Sequence, residues 1–278
     1  MAPRAVVVHD VLGTLFSLDE PIKELQSIFS AQLAAAPHIF AELVVMDWYH
    51  AAQRDFGFIS MHGAYQPIGT VFASTLPRVL LQAGLAPESS SSDLASAKRG
   101  AGRQPATSVE ASGFEEVVQR MMGSLKRLTP RPTMQQAFAT YEAEGIEAWG
   151  ASNGSRELST ALFEGALGKG SVRDHGVSGK EALKGVGVFS CDEVQIAKPD
   201  PRVYQAVLER IERGEKDIQK FFVATHSWDT FAAQKAGFKV VWVTNEEFHG
   251  ASGIYGTPDY IATDLADAAK QIAAAVRG

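Results

Sequence analysis

The sequence predicts an α/β fold: a doubly wound parallel sheet with an α-helical subdomain inserted into it. Three observations lead there. From residue 132 to the end, short apolar runs alternate with helical patterns. Most of those runs stop at a small or polar residue, as buried parallel strands do. A block of amphipathic helices, residues 18–130, interrupts this alternation directly after the first strand.

Arg4 to His9 is a β-branched apolar run ending at Asp10, with a Gly-containing turn behind it. It reads as a buried strand. Asp19-Glu20-Pro21 suits a first helical turn, and Ile22, Leu25, Ile28, Phe29 and Leu33 recur at helical spacing. A second helix is expected from Pro37, carrying Leu43, Val44, Asp47, Trp48 and Ala51, with 54–58 less regular. A third runs from Pro67 to Gly84, and Pro77 inside it is expected to kink or break it. Residues 86–112 are Ser-, Gly- and Arg-rich with almost no large apolar side chains, and read as a flexible insertion. Phe114 to Leu128 is amphipathic again, and Thr129 to Pro132 reads as a hinge.

Beyond the hinge, helices are expected at 133–144, 156–167, 202–213, after Asp229, and at 265–276. Strands are expected at 146–151, 188–190, 221–224, 240–243 and 260–261, with 168–187 irregular. The domain reading is a core of residues 1–17 and 131–278 with an inserted helical subdomain, 18–130.

Composition narrows the function classes. Hydrophobic residues make up 45% of 278, ample for a core. A net charge of −6 disfavours nucleic acid and anionic membranes as partners. No stretch approaches the ~18 apolar residues of a membrane helix. One cysteine, Cys191, excludes an intrachain disulfide and fits a reducing, cytoplasmic compartment.

Four clusters lie at predicted strand ends or helix starts: Asp10 with Thr14, Ser152 with Asn153, Lys198, and Thr225 to Asp229. In a doubly wound sheet such ends converge on one edge. A carboxylate there can act as a nucleophile and form an ester-type intermediate. A neighbouring lysine favours its charged form. Hydroxyl and amide groups can hold oxygens, and a second acid or a histidine can orient the lysine or a water. Thr14 could equally serve its turn, Ser152-Asn153 could cap the next helix, and Tyr204 could be a core residue.

Asp10-Val11-Leu12-Gly13-Thr14-Leu15, Ser152-Asn153-Gly154-Ser155, Lys198-Pro199-Asp200 and the Asp229 loop, in that order, resemble the four motifs of the haloacid dehalogenase superfamily. Gly13-Thr14-Leu15-Phe16, Lys198 through Tyr204 and Trp228-Asp229 resemble its type II L-2-haloacid dehalogenases more closely. The resemblance implies a Rossmannoid core with a helical cap, and Asp10 as nucleophile. Thr14, Ser152 and Asn153 would bind the Asp10 or substrate carboxylate, Lys198 would be the motif lysine, and Asp229 would position Lys198 or water. Tyr204, Trp48, Tyr49, Leu12 and Trp228 would lie about the substrate. A homodimer is compatible with it.

Departures from the family patterns shape the expected chemistry. Superfamily phosphatases carry a second Asp two residues after the nucleophile, where this chain has Leu12, and an acidic metal ligand where it has Thr225. Mg²⁺ wants several oxygen ligands. The expectation is therefore attack on carbon of a small carboxylic acid, with no metal and no cofactor. The dehalogenases usually follow the cap Trp with a halide-binding Arg; here Tyr49 follows Trp48, and Arg54 is the nearest basic candidate. His226, an imidazole titrating near neutrality, is a candidate base for the hydrolytic water, or a structural residue bonded to backbone. The alternatives are hydrolysis of another carbon–heteroatom bond, such as ring opening of azetidine-2-carboxylate, a small-metabolite phosphatase, and a non-catalytic binding protein.

Overall fold

A computed structural model describes residues 4–87, 113–174, 177, 179–215 and 217–278. The expected 86–112 insertion falls outside these but for its first two residues; of those, Ala86 is buried and bonded through its carbonyl and amide to the Gln32 side chain. The chain divides into two compact units, Met1–Ser17 with Thr129–Gly278, and Leu18–Leu128.

The first unit is built on a parallel sheet of six strands: β1 (Arg4–His9), β4 (Ile146–Ser152), β5 (Val186–Ser190), β6 (Ile218–Ala224), β7 (Lys239–Val243) and β8 (Tyr260–Ala262). Their order is β5-β4-β1-β6-β7-β8. Every neighbouring pair is parallel, with His9 in register with both Gly150 and Val223. β1 is central and buried on both faces, which is why it reads as a continuous Val run rather than an alternation. The chain leaves β1 toward β4 on one side and later returns to β6 on the other. That reversal is the topological switch point, where such sheets open a crevice at their carboxyl ends. Asp10 stands at its lip.

The helices of this unit are α6 (Met134–Ala143), α7 (Arg156–Leu167), α8 (Pro201–Glu212), α9 (Ser227–Ala236), the short α10 (Ser252–Tyr255) and α11 (Leu265–Arg277). One core gathers Val6, Val8, Trp149, Phe222, Ala224 and Val240 from the sheet against Val203, Tyr204, Val207, Leu208 and Ile211 of α8. Close approach is enforced at Gly187, where a Cβ would come within 2.4 Å of the Trp149 ring. At the amino end of β4, Glu147 is buried but bonded to Arg4, Arg173 and Arg213, so its charge is compensated.

Several expected boundaries move. β5 and β6 begin two and three residues earlier than their apolar runs, because ladder hydrogen bonding extends beyond the most apolar residues. The 129–132 hinge contains a strand: β3 (Thr129–Pro130) pairs antiparallel with β2 (Phe16–Ser17). Two-residue strands leave no periodic signal.

The second unit is α-helical among its described residues: α1 (Asp19–Ile28), α2 (Ser30–Ala35), α3 (Ala41–Met61), α4 (Ile68–Ala83) and α5 (Glu115–Leu125). The helix expected from Pro37 starts at Ala41 instead. It runs unbroken through 54–58, with Phe56 fully buried, while Leu43 faces solvent. Pro77 does not break α4; it is buried in a helix that continues to Ala83 and ends at Gly84 with φ +81°. The contacts of Leu76, Val79 and Leu80 in the core outweigh the lost amide donor. Among the described residues no helix is long and apolar enough to cross a membrane.

Candidate active site

The strand that carries Asp10 ends there because its backbone leaves the sheet: the Asp10 N–H still donates to the Val223 carbonyl at 2.9 Å, after which the chain turns. Gly13 takes φ +86° in that turn, a conformation that side chains disfavour. Its N–H then bonds the Phe16 carbonyl at 2.9 Å. The loop presents Thr14 back toward Asp10, and the Thr14 hydroxyl donates to Asp10 Oδ2 at 2.8 Å. The same hydroxyl oxygen accepts from the Thr225 N–H at 3.0 Å, tying the first loop to the loop after β6.

Lys198 occupies the centre. Its ammonium donates to Asp10 Oδ1 at 2.7 Å, Asp229 Oδ2 at 2.7 Å and the Ala151 carbonyl at 3.1 Å. Those three acceptors satisfy all three of its protons. The lysine is 3% exposed. Burial alone lowers its pKa, but the facing Asp10 and Asp229 charges outweigh that and hold it above the ordinary lysine value. Asp229 shows the converse balance. Burial raises its carboxyl to about 6 against the pull of Lys198, and Asp10 adds to the rise. Tyr204, from α8, donates its hydroxyl to Asp229 Oδ1. Burial and the Asp229 charge keep that phenol protonated.

Ser152 and Asn153 organise the backbone around this centre. Ser152 Oγ accepts from the Gly154 N–H at 2.8 Å. Asn153 Oδ1 accepts from the Lys198 N–H at 3.0 Å and the Cys191 thiol at 3.2 Å. The cap of the following helix is Ser155, whose Oγ accepts from the Leu158 N–H. Leu12 is buried, with its Cδ1 beside Gly154. His226 is the N-cap residue of α9, stacked on Trp228 with ring centroids 5.7 Å apart. Asp229 lies in the first turn of that helix, where a carboxylate is favoured by the helix dipole.

Trp48 and Tyr49 belong to the helical unit and are buried in it. The Trp48 indole donates to the Phe72 carbonyl at 2.9 Å, and the Tyr49 ring stacks on Phe72. Arg54 is half exposed and paired with Asp55, which Arg78 also binds.

Sequence reasoning missed three residues here. Glu246 and Glu247 follow β7, a fifth strand end on the same edge of the sheet. Glu247 Oε2 accepts from both the N–H and the hydroxyl of Ser227, at 2.9 and 2.7 Å, and so caps α9. Glu246 lies with Oε2 3.6 Å from His226 Nε2 and Oε1 3.8 Å from Arg131. Burial pushes Glu246 up to about 7, with the Arg131 charge opposing and those of Asp10 and Glu247 reinforcing the rise. Arg131 also donates through Nε and Nη2 to the Gly13 carbonyl, at 3.1 and 2.8 Å. The strand-end rule applied to β7 flags the two glutamates; nothing in the sequence flags Arg131.

The arrangement is a carboxylate with each oxygen held by one donor, a cation locked between two acids, and a further acid beside an imidazole. Among the described residues no group of three or more His, Cys, Asp and Glu side chains is arranged to hold a metal ion.

No protein-family model matches the chain. Among curated proteins it is similar to (S)-2-haloacid dehalogenase 1 of Pseudomonas sp. (strain CBS-3), 30% identical over 122 residues, 44% of this chain and 47% of the relative. It is also similar to (S)-2-haloacid dehalogenase 4A of Burkholderia cepacia, 28% identical over 127 residues, 46% of this chain and 48% of the relative. The chain spans about half the length of these curated relatives. Solved structures match almost end to end. The L-2-haloacid dehalogenase from Xanthobacter autotrophicus has a TM-score of 0.66 at 20% identity, covering 97% of this chain and 98% of that one. A dehalogenase solved as an intermediate complex has a TM-score of 0.68 at 17% identity, covering 98% and 99%. The chain shares their fold, the α/β fold of the haloacid dehalogenases.

Proposed function

We propose that this protein is a hydrolase that uses Asp10 to attack carbon of a small carboxylic acid, with a 2-haloacid as the nominal substrate. The observation that carries the reading is Asp10 itself, held at the switch point of the sheet between the Lys198 ammonium and the Thr14 hydroxyl. The (S)-2-haloacid dehalogenase names of its sequence relatives support it.

In the first step an Asp10 oxygen forms a bond to the carbon next to the substrate carboxylate. The carbon–halogen bond breaks, and its electron pair leaves with the halide. Lys198 supports the attack by fixing the plane of the carboxylate and balancing its charge. Water then adds to the carbonyl carbon of the Asp10 ester. The water gives one proton to a base, for which Asp229 and His226 are the candidates, and the ester bond to the substrate oxygen breaks. The departing oxygen takes that proton back as a hydroxyl. The regenerated Asp10 carboxyl releases the second proton to solvent.

Lys198 puts a positive charge between Asp10 and Asp229, and two residues after Asp10 the side chain is the apolar, buried Leu12. The reaction in this reading needs no metal and no cofactor. Within it the helical unit is the cap, Ser152, Asn153, Tyr204 and Trp228 are site residues, and the protein works in the cytoplasm. Ring opening of azetidine-2-carboxylate is the second reading. It is favoured by the sequence, which has the uncharged Tyr49 after Trp48 where the dehalogenases usually carry the halide-binding Arg.

The test is chloride release from L-2-chloropropionate, with azetidine-2-carboxylate and a phosphate-ester panel beside it, each with and without EDTA. Chloride release unaffected by EDTA is the expected result. Phosphate release that requires Mg²⁺ would overturn the reading.

A further inference from the structure

We infer that Glu246 is a positioning residue for the second half of this reaction: with His226 it forms the pair that takes the proton from the water hydrolysing the Asp10 ester. The inference rests on the Asp10 reading above and adds a residue to it. Four observations converge. The loop after β7 is anchored by Glu247, whose carboxylate caps α9 through Ser227. Its neighbour Glu246 faces His226 Nε2 at 3.6 Å and Arg131 at 3.8 Å. Arg131 in turn grips the Gly13 carbonyl, so one guanidinium connects the nucleophile loop to Glu246. Glu246 is about nine-tenths buried, and among the described residues its Oε2 has no hydrogen-bond partner, as is true of the neighbouring Thr225 Oγ1 and Asn245 Oδ1.

Buried polar atoms are almost always bonded, so orphaned ones on the sheet edge that carries the nucleophile mark a place for a polar reactant. A carboxylate that receives one imidazole N–H fixes the tautomer and leaves the other ring nitrogen basic. The 3.6 Å gap is too long for a hydrogen bond, and acid–base contacts often tighten only when substrate binds. The groups facing Glu246 are Arg131, His226, Asp10 and Glu247. Burial raises its pKa toward neutrality, which suits a group that shares a proton within the working range. The balance of the step is unchanged. The proton leaves water for the His226–Glu246 pair and returns to the substrate oxygen as the ester breaks.

The experiment is rapid-quench kinetics with mass spectrometry of the Asp10 peptide, on whichever of L-2-chloropropionate and azetidine-2-carboxylate the wild type turns over. Glu246→Gln is expected to form the Asp10 ester at the wild-type rate and to hydrolyse it ~30-fold or more slowly, so the ester accumulates. Glu246→Asp keeps the charge and is expected to recover part of that rate. The pH dependence of ester hydrolysis should shift in Glu246→Gln, while that of ester formation should not. Wild-type ester hydrolysis in both variants with an unmoved pH profile overturns the inference. So does equal slowing of both steps with no recovery in Glu246→Asp. A wild type that forms no ester from either substrate overturns the Asp10 reading, and the inference with it.

Discussion

The Lys198 ammonium and the Asp10 carboxylate, 188 positions apart in sequence, meet at 2.7 Å in the buried centre of the core unit. Asp229 lies at the same distance on the ammonium's other side. Lys198→Met removes the cation and leaves two buried carboxylates facing each other. Breaking such a cluster costs about 3–5 kcal/mol. Without the ammonium, Asp229 loses the charge that opposes the effect of burial, so its folded-state pKa rises further above its unfolded value. The stability deficit is therefore smallest at low pH and grows as pH rises through that folded value. Thermal melts at pH 5 and pH 8 should show the larger loss at pH 8. A deficit independent of pH would contradict this account.

Asp10→Asn keeps the shape of the nucleophile and removes its charge. Loss of substrate turnover by about 10³-fold or more is expected, with no covalent adduct on the corresponding peptide. Hydrolysis that survives the substitution would remove Asp10 from the reaction.

Tyr204→Phe deletes the hydroxyl that donates to Asp229 Oδ1. That hydrogen bond opposes the rise in the Asp229 pKa, so its loss moves Asp229 above the present value of about 6. A donor lost from a buried carboxylate costs about 1.5–3 kcal/mol. The effect should be full at pH 8 and relieved as Asp229 protonates on acidification. Denaturant melts across that range measure it. An unchanged midpoint at pH 8 would show that the hydrogen bond contributes nothing to stability.

His9, next to the nucleophile, is fully buried between the Trp149 carbonyl and the Tyr141 hydroxyl. Burial pushes its pKa down to about 4 from 6.5. The unfolded chain therefore binds a proton at a higher pH than the fold does. This destabilises the protein as pH falls from about 6.5 to about 4, by up to about 3 kcal/mol. Glu246, raised to about 7, works in the opposite sense, its contribution being lost as pH climbs from about 4.5 through 7. His9→Gln should flatten the loss between pH 6.5 and pH 4 in urea titrations. A slope equal to wild type would assign the acid sensitivity elsewhere.

Much of the core was legible because its signals are local. The Val run ending at Asp10, the Ser152 loop and the helix opening after Lys198 each carry strand or helix punctuation within a few residues. Pro77 misled because a proline's local penalty was outweighed by the buried side chains around it, which no window of sequence weighs. The helix start expected at Pro37 failed for a related reason: the helix settles where Ala41, Val44 and Val45 can be buried together. Glu246 went unread since its partners Arg131 and His226 lie 115 and about 20 positions away.

By itself the sequence determined the strand–helix alternation, the interruption after the first strand, and the order of the residue clusters that bear chemistry. Those follow from hydrophobic period and turn chemistry, which act over a few residues. Only the tertiary structure decided which oxygens the Lys198 ammonium binds, that Asn153 holds the Lys198 backbone, and that Glu246 faces His226. Such pairings depend on the closure of long loops at one sheet edge, where burial and opposite charge fix distances that chain order leaves free.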